Sequence, residues 1–375
     1  MIGVLGVDSV SLKAGIVGLP NVGKSTLFNA LTDAGAHAAN YPFATIDPNV
    51  GVVNVPDARL EELSAIVKPK QTIPTAYEFI DIAGLVKNAS KGEGLGNRFL
   101  AQIREVDAIL HVVRCFEDGD IPHVDGDVDA ARDVDTLNTE LIMADLEVIE
   151  NRLPKIRKKA RLEVDKDIKR EYDLFNVLKE TLLEGKPLRS LSLTKDEKKL
   201  MKPYGFLTMK PILYVANVGE EALMDKDHPQ LQALQRLAEN EDGAFLSINA
   251  QMEEELIALD AEERQEYLET FNLTSTGLER MIVKTYELLN LETFFTHNEK
   301  EARAWTFQKG MTAYECAGLI HTDFQRGFIK AEVIPFDVLK SYGSLSLVKE
   351  KGKMRLEGKE YKVQDGDIIL FKFNV

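Results

Sequence analysis

Near the start of the chain, Gly18-Leu-Pro-Asn-Val-Gly23-Lys24-Ser25 has the spacing GxxxxGK[ST] of a phosphate-binding loop. Phosphate chemistry demands those residue types. Glycines let backbone N–H groups turn inward around phosphate oxygens, and the helix that follows adds the positive end of its dipole. Lys24 is expected to reach the β- and γ-phosphates, and the Ser25 hydroxyl to ligate Mg²⁺. A second motif, Asp81-Ile-Ala-Gly84, supplies a carboxylate that can hold Mg²⁺ through water and a Gly84 N–H that can bind the γ-phosphate. Between the two, Tyr41-Pro-Phe-Ala-Thr45-Ile lies in a loop expected to fold over the nucleotide, with Thr45 as candidate second protein ligand of Mg²⁺.

Leu85 follows Gly84 where many GTPases of this type place a water-orienting Gln. Leucine can neither donate nor accept a hydrogen bond, so attack on the γ-phosphate must be organised by other groups. The Asn21 amide oxygen can help bind a monovalent cation such as K⁺ beside the phosphates, where transition-state charge develops. His123, in the Gly- and Asp-rich stretch 117–129, is a second candidate, with a solvated loop histidine as the alternative.

The segment Asn217-Val218-Gly-Glu220 stands where a guanine-reading NKxD would be expected. In NKxD the Asp accepts from guanine N1–H and N2–H₂, and adenine has neither donor. Here Val218 replaces the Lys, and Glu220, longer by a methylene, displaces the carboxylate from the guanine fork. A charged hydrogen bond contributes roughly 1.5–3 kcal/mol, so its loss makes ATP at least competitive with GTP. Asn249-Ala250-Gln251 falls where a loop should close over the base.

The surrounding pattern can position these groups. Apolar runs at 13–17, 51–55, 76–82, 108–115, 212–216 and 245–248 read as strands separated by helical stretches, which implies an α/β fold. Its mostly parallel, doubly wound sheet has helices on both faces. Residues 136–203 interrupt it: Leu137, Leu141, Ala144 and Val148 begin a helical spacing with no strand signal, read as an inserted antiparallel coiled-coil hairpin. Thr194-Lys-Asp-Glu197 is a capping box that restarts a short helix. Residues 152–170 are locally basic, either a solvated coiled-coil face or a contact for RNA or the ribosome. From about residue 291, short strands around one helix opened by Thr312-Ala-Tyr-Glu315 read as a small β-grasp domain. The expected division is therefore 1–135 and 204–290 for the nucleotide domain, 136–203 for the helical insertion and 291–375 for the C-terminal domain.

Composition bounds the class. The chain has 375 residues, 44% hydrophobic and 29% charged, and its net charge of −15 argues against indiscriminate nucleic-acid binding. No run approaches a membrane span, and residues 1–12 lack the basic segment of a signal peptide. Cys115 and Cys316 lack metal-ligand spacing and read as reduced, packed thiols, which fits a cytosolic setting.

Taken together, GLPNVGKST at 18–26, NYPFATIDPNVG at 40–51, DIAGLVKNASKGEGLGN at 81–97 and the Asn217–Glu220 variant resemble the Obg-like ATPases of the YchF family. TAYECAGLIHTDFQRGFIKAEV at 312–333 is similar to the signature of a TGS domain. The resemblance covers nearly the whole chain. It implies a cytoplasmic, Mg²⁺-dependent ATPase that prefers ATP to GTP, is stimulated by K⁺ and serves translation or stress regulation. The implied partners are ATP and the ribosome (the large subunit or the whole particle, through rRNA or ribosomal protein), without membrane or DNA. By the resemblance Asn21, Val22, Gly23, Lys24, Ser25 and Thr26 bind phosphates, and Ser25 and Thr45 ligate Mg²⁺. Val218 contacts the base through its backbone, and His123 matches a loop histidine implicated in hydrolysis. Residues 1–9 are an extra segment relative to the family pattern. An Obg-type GTPase and a small-substrate P-loop kinase are the competing readings. A kinase needs an acceptor molecule, whereas a switch needs only water.

Overall fold

The computed structural model describes residues 12–36, 49–83, 95–124, 126–162, 165–225 and 228–374. Twelve strands occur among them. In chain order they are β1 (Lys13–Val17), β2 (Val50–Asn54), β3 (Gln71–Ile73), β4 (Ala76–Asp81), β5 (Ala108–Arg114) and β6 (Ile212–Asn217). The remainder are β7 (Ala244–Ile248), β8 (Leu291–His297), β9 (Glu301–Gln308), β10 (Phe328–Pro335), β11 (Arg355–Glu357) and β12 (Asp367–Phe373). The chain forms two compact units, one of Lys13–Gly51 with Glu78–Met281, the other containing Val52–Tyr77 and Ile282–Val375.

The first unit is built on a sheet ordered β2-β4-β1-β5-β6-β7. β1 pairs in parallel with β4 and β5, and β5, β6 and β7 follow in parallel. Every residue of β5 (AILHVVR) and β6 (ILYVAN) is buried, the signature of central strands covered on both faces. β2 and β4 lie on one side of β1 and the later strands β5, β6 and β7 on the other, so the strand order reverses at β1 and a crevice opens beyond the strand ends. Register decides which side chains reach it, because Ile16 pairs with Asp81, Arg114 with Asn217, and Asn217 with Ile248.

The helical insertion is present and starts earlier than its apolar spacing predicts. Its first helix spans Ala130–Arg161, capped by Asp129, whose carboxylate accepts from Ala131 N and Arg132 N. The second spans Lys166–Leu183, packed through Ile149, Phe175 and Leu178. The capping box at Thr194 forms and starts helix Lys195–Met201. Two buried polar contacts tie the insertion to the sheet. Asp145 accepts from Leu207 N and Thr208 N, each at 2.8 Å. Arg189 donates to Asn138 at 2.8 Å and Glu241 at 2.7 Å, and Tyr214 of β6 donates to Glu241 at 2.6 Å.

The second unit holds a mixed sheet ordered β11-β10-β12-β8-β9-β3. Consecutive residues of a strand point to opposite faces, and Phe294 and Phe295 of β8 accordingly enter separate cores. Phe294 packs with Ala313, Cys316 and Ala317 of helix Ala313–Ile320, opened by the Thr312 capping box. Phe295 packs with Leu60 and Leu63 of helix Ala58–Val67 and with Leu339 of helix Phe336–Tyr342. Residues 52–77, expected in the nucleotide domain, therefore group with the C-terminal residues. Their helix covers the sheet face that helix Ala313–Ile320 leaves, and β3 extends the sheet in parallel with β9. Cys115 and Cys316 are buried free thiols. Among the described residues, no helix is long and apolar enough to cross a membrane.

Candidate nucleotide site

The phosphate loop joins the end of β1 to helix Lys24–Ala36. Two of its positions need unusual backbone: Asn21 has φ 64° and Gly23 φ 88°. A Cβ on Gly23 would collide with the Asn217 amide, and one on Gly18 would sit 2.8 Å from the Val112 carbonyl. Both glycines are thus required by close approach, and Gly23 also by its left-handed conformation. The Lys24 ammonium is ion-paired with the Asp81 carboxylate at the end of β4. The cation expected on the phosphates and the carboxylate expected on Mg²⁺ therefore share one place. Ser25 is exposed on the first helical turn and Thr26 half-buried beside it. Thr45, Gly84 and Leu85 lie outside the described residues.

Asn217 braces the site. Its Nδ2 donates to the Val22 carbonyl at 2.9 Å, and its Oδ1 accepts from Ala250 N at 3.0 Å. One side chain, only 5% exposed, thus fixes the phosphate loop to the loop after β7. Asn249 caps helix Ala250–Ile257 by accepting from Met252 N at 2.8 Å. Val218 buries its side chain and donates its N–H to the Ile248 carbonyl at 2.9 Å. Glu220 is exposed in the first turn of helix Glu220–Met224.

These residues border a cleft of about 1180 Å³, lined by Asn21, Lys24, Ser25, Asn217, Glu220 and Ala250 among others. Typical small-molecule sites occupy roughly 300–1,000 Å³, so a nucleoside triphosphate fits. Ser25 and Asp81 offer hard oxygen donors suited to Mg²⁺ next to the phosphate loop.

His123 takes a different place from a group facing phosphates. Its side chain is 1% exposed, does not line the cleft, and sets Nε2 3.0 Å from Asp133 Oδ2. The sequence also gave no hint that Asn21 Nδ2 donates to the Pro122 carbonyl, at 3.2 Å. Nor did it assign a role to Arg114, which is buried and donates to the Phe116 carbonyl at 3.1 Å. A cation ending the apolar run of β5 was the available signal, and Phe116 itself lines the cleft.

Comparison with known proteins gives consistent neighbours. A family model named YchF-GTPase_C, described as a protein of unknown function, matches residues 291–374. Another, described as a 50S ribosome-binding GTPase, matches residues 13–151. The ribosome-binding ATPase YchF of Bacillus subtilis is 53% identical over 98% of this chain and 100% of its own length. That of Escherichia coli O157:H7 is 50% identical, with the same coverage. The solved structure of the Schizosaccharomyces pombe YchF GTPase superposes with TM-score 0.87 at 38% identity, covering 96% of this chain and 98% of that one.

Proposed function

The chain belongs to the YchF family, and on that premise we propose that it hydrolyses ATP to ADP and phosphate as a switch whose nucleotide state governs binding to the ribosome. It is a P-loop nucleotide hydrolase. The finer reading assigns Mg²⁺ to Ser25, Asp81 and Thr45, the γ-phosphate to Lys24 and the Gly84 N–H, and K⁺ to the Asn21 amide oxygen. When bound, Mg²⁺ neutralises charge on the β- and γ-oxygens. Lys24 would then exchange its Asp81 partner for phosphate oxygens, with Asp81 held beside it by the β1–β4 register.

One observation carries the preference for ATP. The Val218 N–H is committed to Ile248, so a backbone contact from Val218 to a base falls to its carbonyl, an acceptor. Adenine N6–H₂ can donate to that acceptor, whereas guanine presents O6, a second acceptor, and the two would repel. Glu220, exposed on the neighbouring helix, adds no guanine-reading carboxylate at the depth an NKxD Asp would have.

For the ribosome the supporting feature is charge. Residues 152–170 are basic in a chain of net charge −15. Arg157, Lys158 and Lys159 are exposed near the end of the long helix, available to phosphates of rRNA. The C-terminal sheet, read as a TGS domain, is a second contact in this proposal, and the cytoplasm is where both partners meet. Co-sedimentation with ribosomes in ADP, ATP and a non-hydrolysable ATP analogue tests the switch: occupancy should change with nucleotide, and identical binding in all three states contradicts it. A GTPase reading has its own support in the family description of residues 13–151 and in the name of the fission yeast structure. Base selectivity separates the two.

A further inference from the structure

One turn beyond the loop expected over the base, a buried carboxylate joins two helices. Glu253 is only 2% exposed, and its two oxygens accept separately from Gly277 N at 2.7 Å and Leu278 N at 3.0 Å. Those are the first two N–H groups of helix Gly277–Leu288, which have no partner within their own helix. The third, Glu279 N, donates to the Thr276 hydroxyl, and the Glu279 carboxylate accepts from Thr276 N in return. This Thr276 capping box belongs to its own helix alone, whereas Glu253 reaches across from helix Ala250–Ile257. The junction has no spare room. A Cβ on Gly277 would stand 2.6 Å from Glu253 Oε1 and 2.6 Å from Ile248 Cγ1.

What this clasp holds is the backbone that faces the base. Glu253 donates its own N–H to the Asn249 carbonyl at 3.1 Å, and the neighbouring Ala250 N is the partner of Asn217 Oδ1. Ile248, against which Gly277 is pressed, gives its carbonyl to the Val218 N–H. That bond leaves the Val218 carbonyl, an acceptor, as the group Val218 can offer a base. Were the first turn of helix Gly277–Leu288 to move away, Ile248 would be free to shift, and a released Val218 N–H could donate to guanine O6. We propose that Glu253 is a positioning residue for purine selection: by clasping that first turn it holds Ile248 and the Asn249–Gln251 loop in the arrangement that favours adenine. Glu253 does not itself border the cleft, so it acts through these residues and not on the nucleotide. The proposal rests on the reading of the Val218 carbonyl as the acceptor for adenine.

The test is titration of the full chain with ATP and with GTP, alongside turnover at saturating ATP and thermal unfolding. Glu253→Gln keeps the shape of the side chain but turns an NH₂ group toward one of the two helix N–H groups. Affinity for ATP should fall about fivefold or more, the ratio of ATP to GTP affinity should shrink by about threefold or more, and saturated turnover should stay within about twofold. Gly277→Ala strikes the same contact from the other helix while raising intrinsic helix propensity, so it should narrow the ratio in the same direction. Thr276→Ala is the comparison. It removes a cap from that same helix without touching Glu253, and should lower the melting temperature while both affinities keep their parental values. If Glu253→Gln does not fold, Gly277→Ala set against Thr276→Ala carries the test. A parental ratio in both Glu253→Gln and Gly277→Ala, or a ratio narrowed equally by Thr276→Ala, would overturn the positioning role and leave the ATP site intact. A parent protein that binds GTP in preference to ATP would overturn the reading beneath it, and the parental titration shows that before any variant is made.

Discussion

Replacing Asn217 should disable the site without touching a phosphate or metal ligand. Both polar atoms of its amide are used, one on the Val22 carbonyl and one on Ala250 N, and the side chain is almost sealed from water. Asn217→Ala leaves a buried acceptor and a buried donor without partners. Each unsatisfied group costs roughly 1–3 kcal/mol, so the total is about 2–6 kcal/mol, divided between stability and the ordering of the phosphate loop. If only about 2 kcal/mol falls on binding, nucleotide affinity drops roughly 30-fold. Asn217→Asp separates the two halves of the brace. It retains an acceptor for Ala250 N but turns a carboxylate oxygen against the Val22 carbonyl, replacing attraction by repulsion. The aspartate variant should therefore bind ATP at least as poorly as the alanine variant, although it is nearly isosteric with the parent. Fluorescent-nucleotide titration with parallel thermal unfolding reads both quantities. Parental affinity in Asn217→Asp would refute the bracing role.

Lys24→Ala should abolish tight triphosphate binding and leave Asp81 without its ion-pair partner, so titration with ATP should show no saturation at concentrations that saturate the parent. Burial, with the Arg189 guanidinium adding to it, pushes His111 down to about 3, whereas an unfolded histidine titrates near 6.5. The unfolded chain then takes up a proton that the folded one refuses, and stability falls as pH drops below about 6.5, by up to ~1.4 kcal/mol per pH unit. Urea unfolding near pH 7.5 and pH 5 should show that loss, and His111→Phe should shrink it by about 2 kcal/mol; an unchanged difference would contradict the assignment. Reversing charge at Arg157, Lys158 and Lys159 should weaken ribosome association and flatten its dependence on salt. Co-sedimentation over a salt series checks it, and unaltered binding would return those residues to the role of a solvated helix face.

How far the sequence speaks depends on whether the partners of a residue are local. The phosphate loop, Asp81 and Asn217 are legible because their chemistry depends on a strand end followed by a turn, and both signals lie within a few residues. The capping boxes at Thr194 and Thr312 are legible for the same reason. By contrast, β3 is three residues long with a single half-buried side chain, and its membership of the C-terminal sheet is set by pairing with β9, far along the chain. Helix Ala58–Val67 has an ordinary apolar stripe that does not say which sheet it covers. His123 shows the limit within the site. The stretch around it carries exposed acids such as Asp118, Asp120 and Asp127, which reads as solvated loop, while its burial depends on Asp133 being presented by a helix that begins at Ala130, earlier than the apolar spacing indicates.

The central claim is that this cleft is an ATP site, and the most direct measurement is kcat/KM for ATP and for GTP on one preparation, with Mg²⁺ and K⁺ present. One acceptor that pairs with adenine N6–H₂ and opposes guanine O6 accounts for roughly 1–3 kcal/mol of discrimination, so ATP should lead by roughly 5- to 150-fold. A protein that turns over GTP tenfold better than ATP would contradict the base-site account, whatever the state of the phosphate loop.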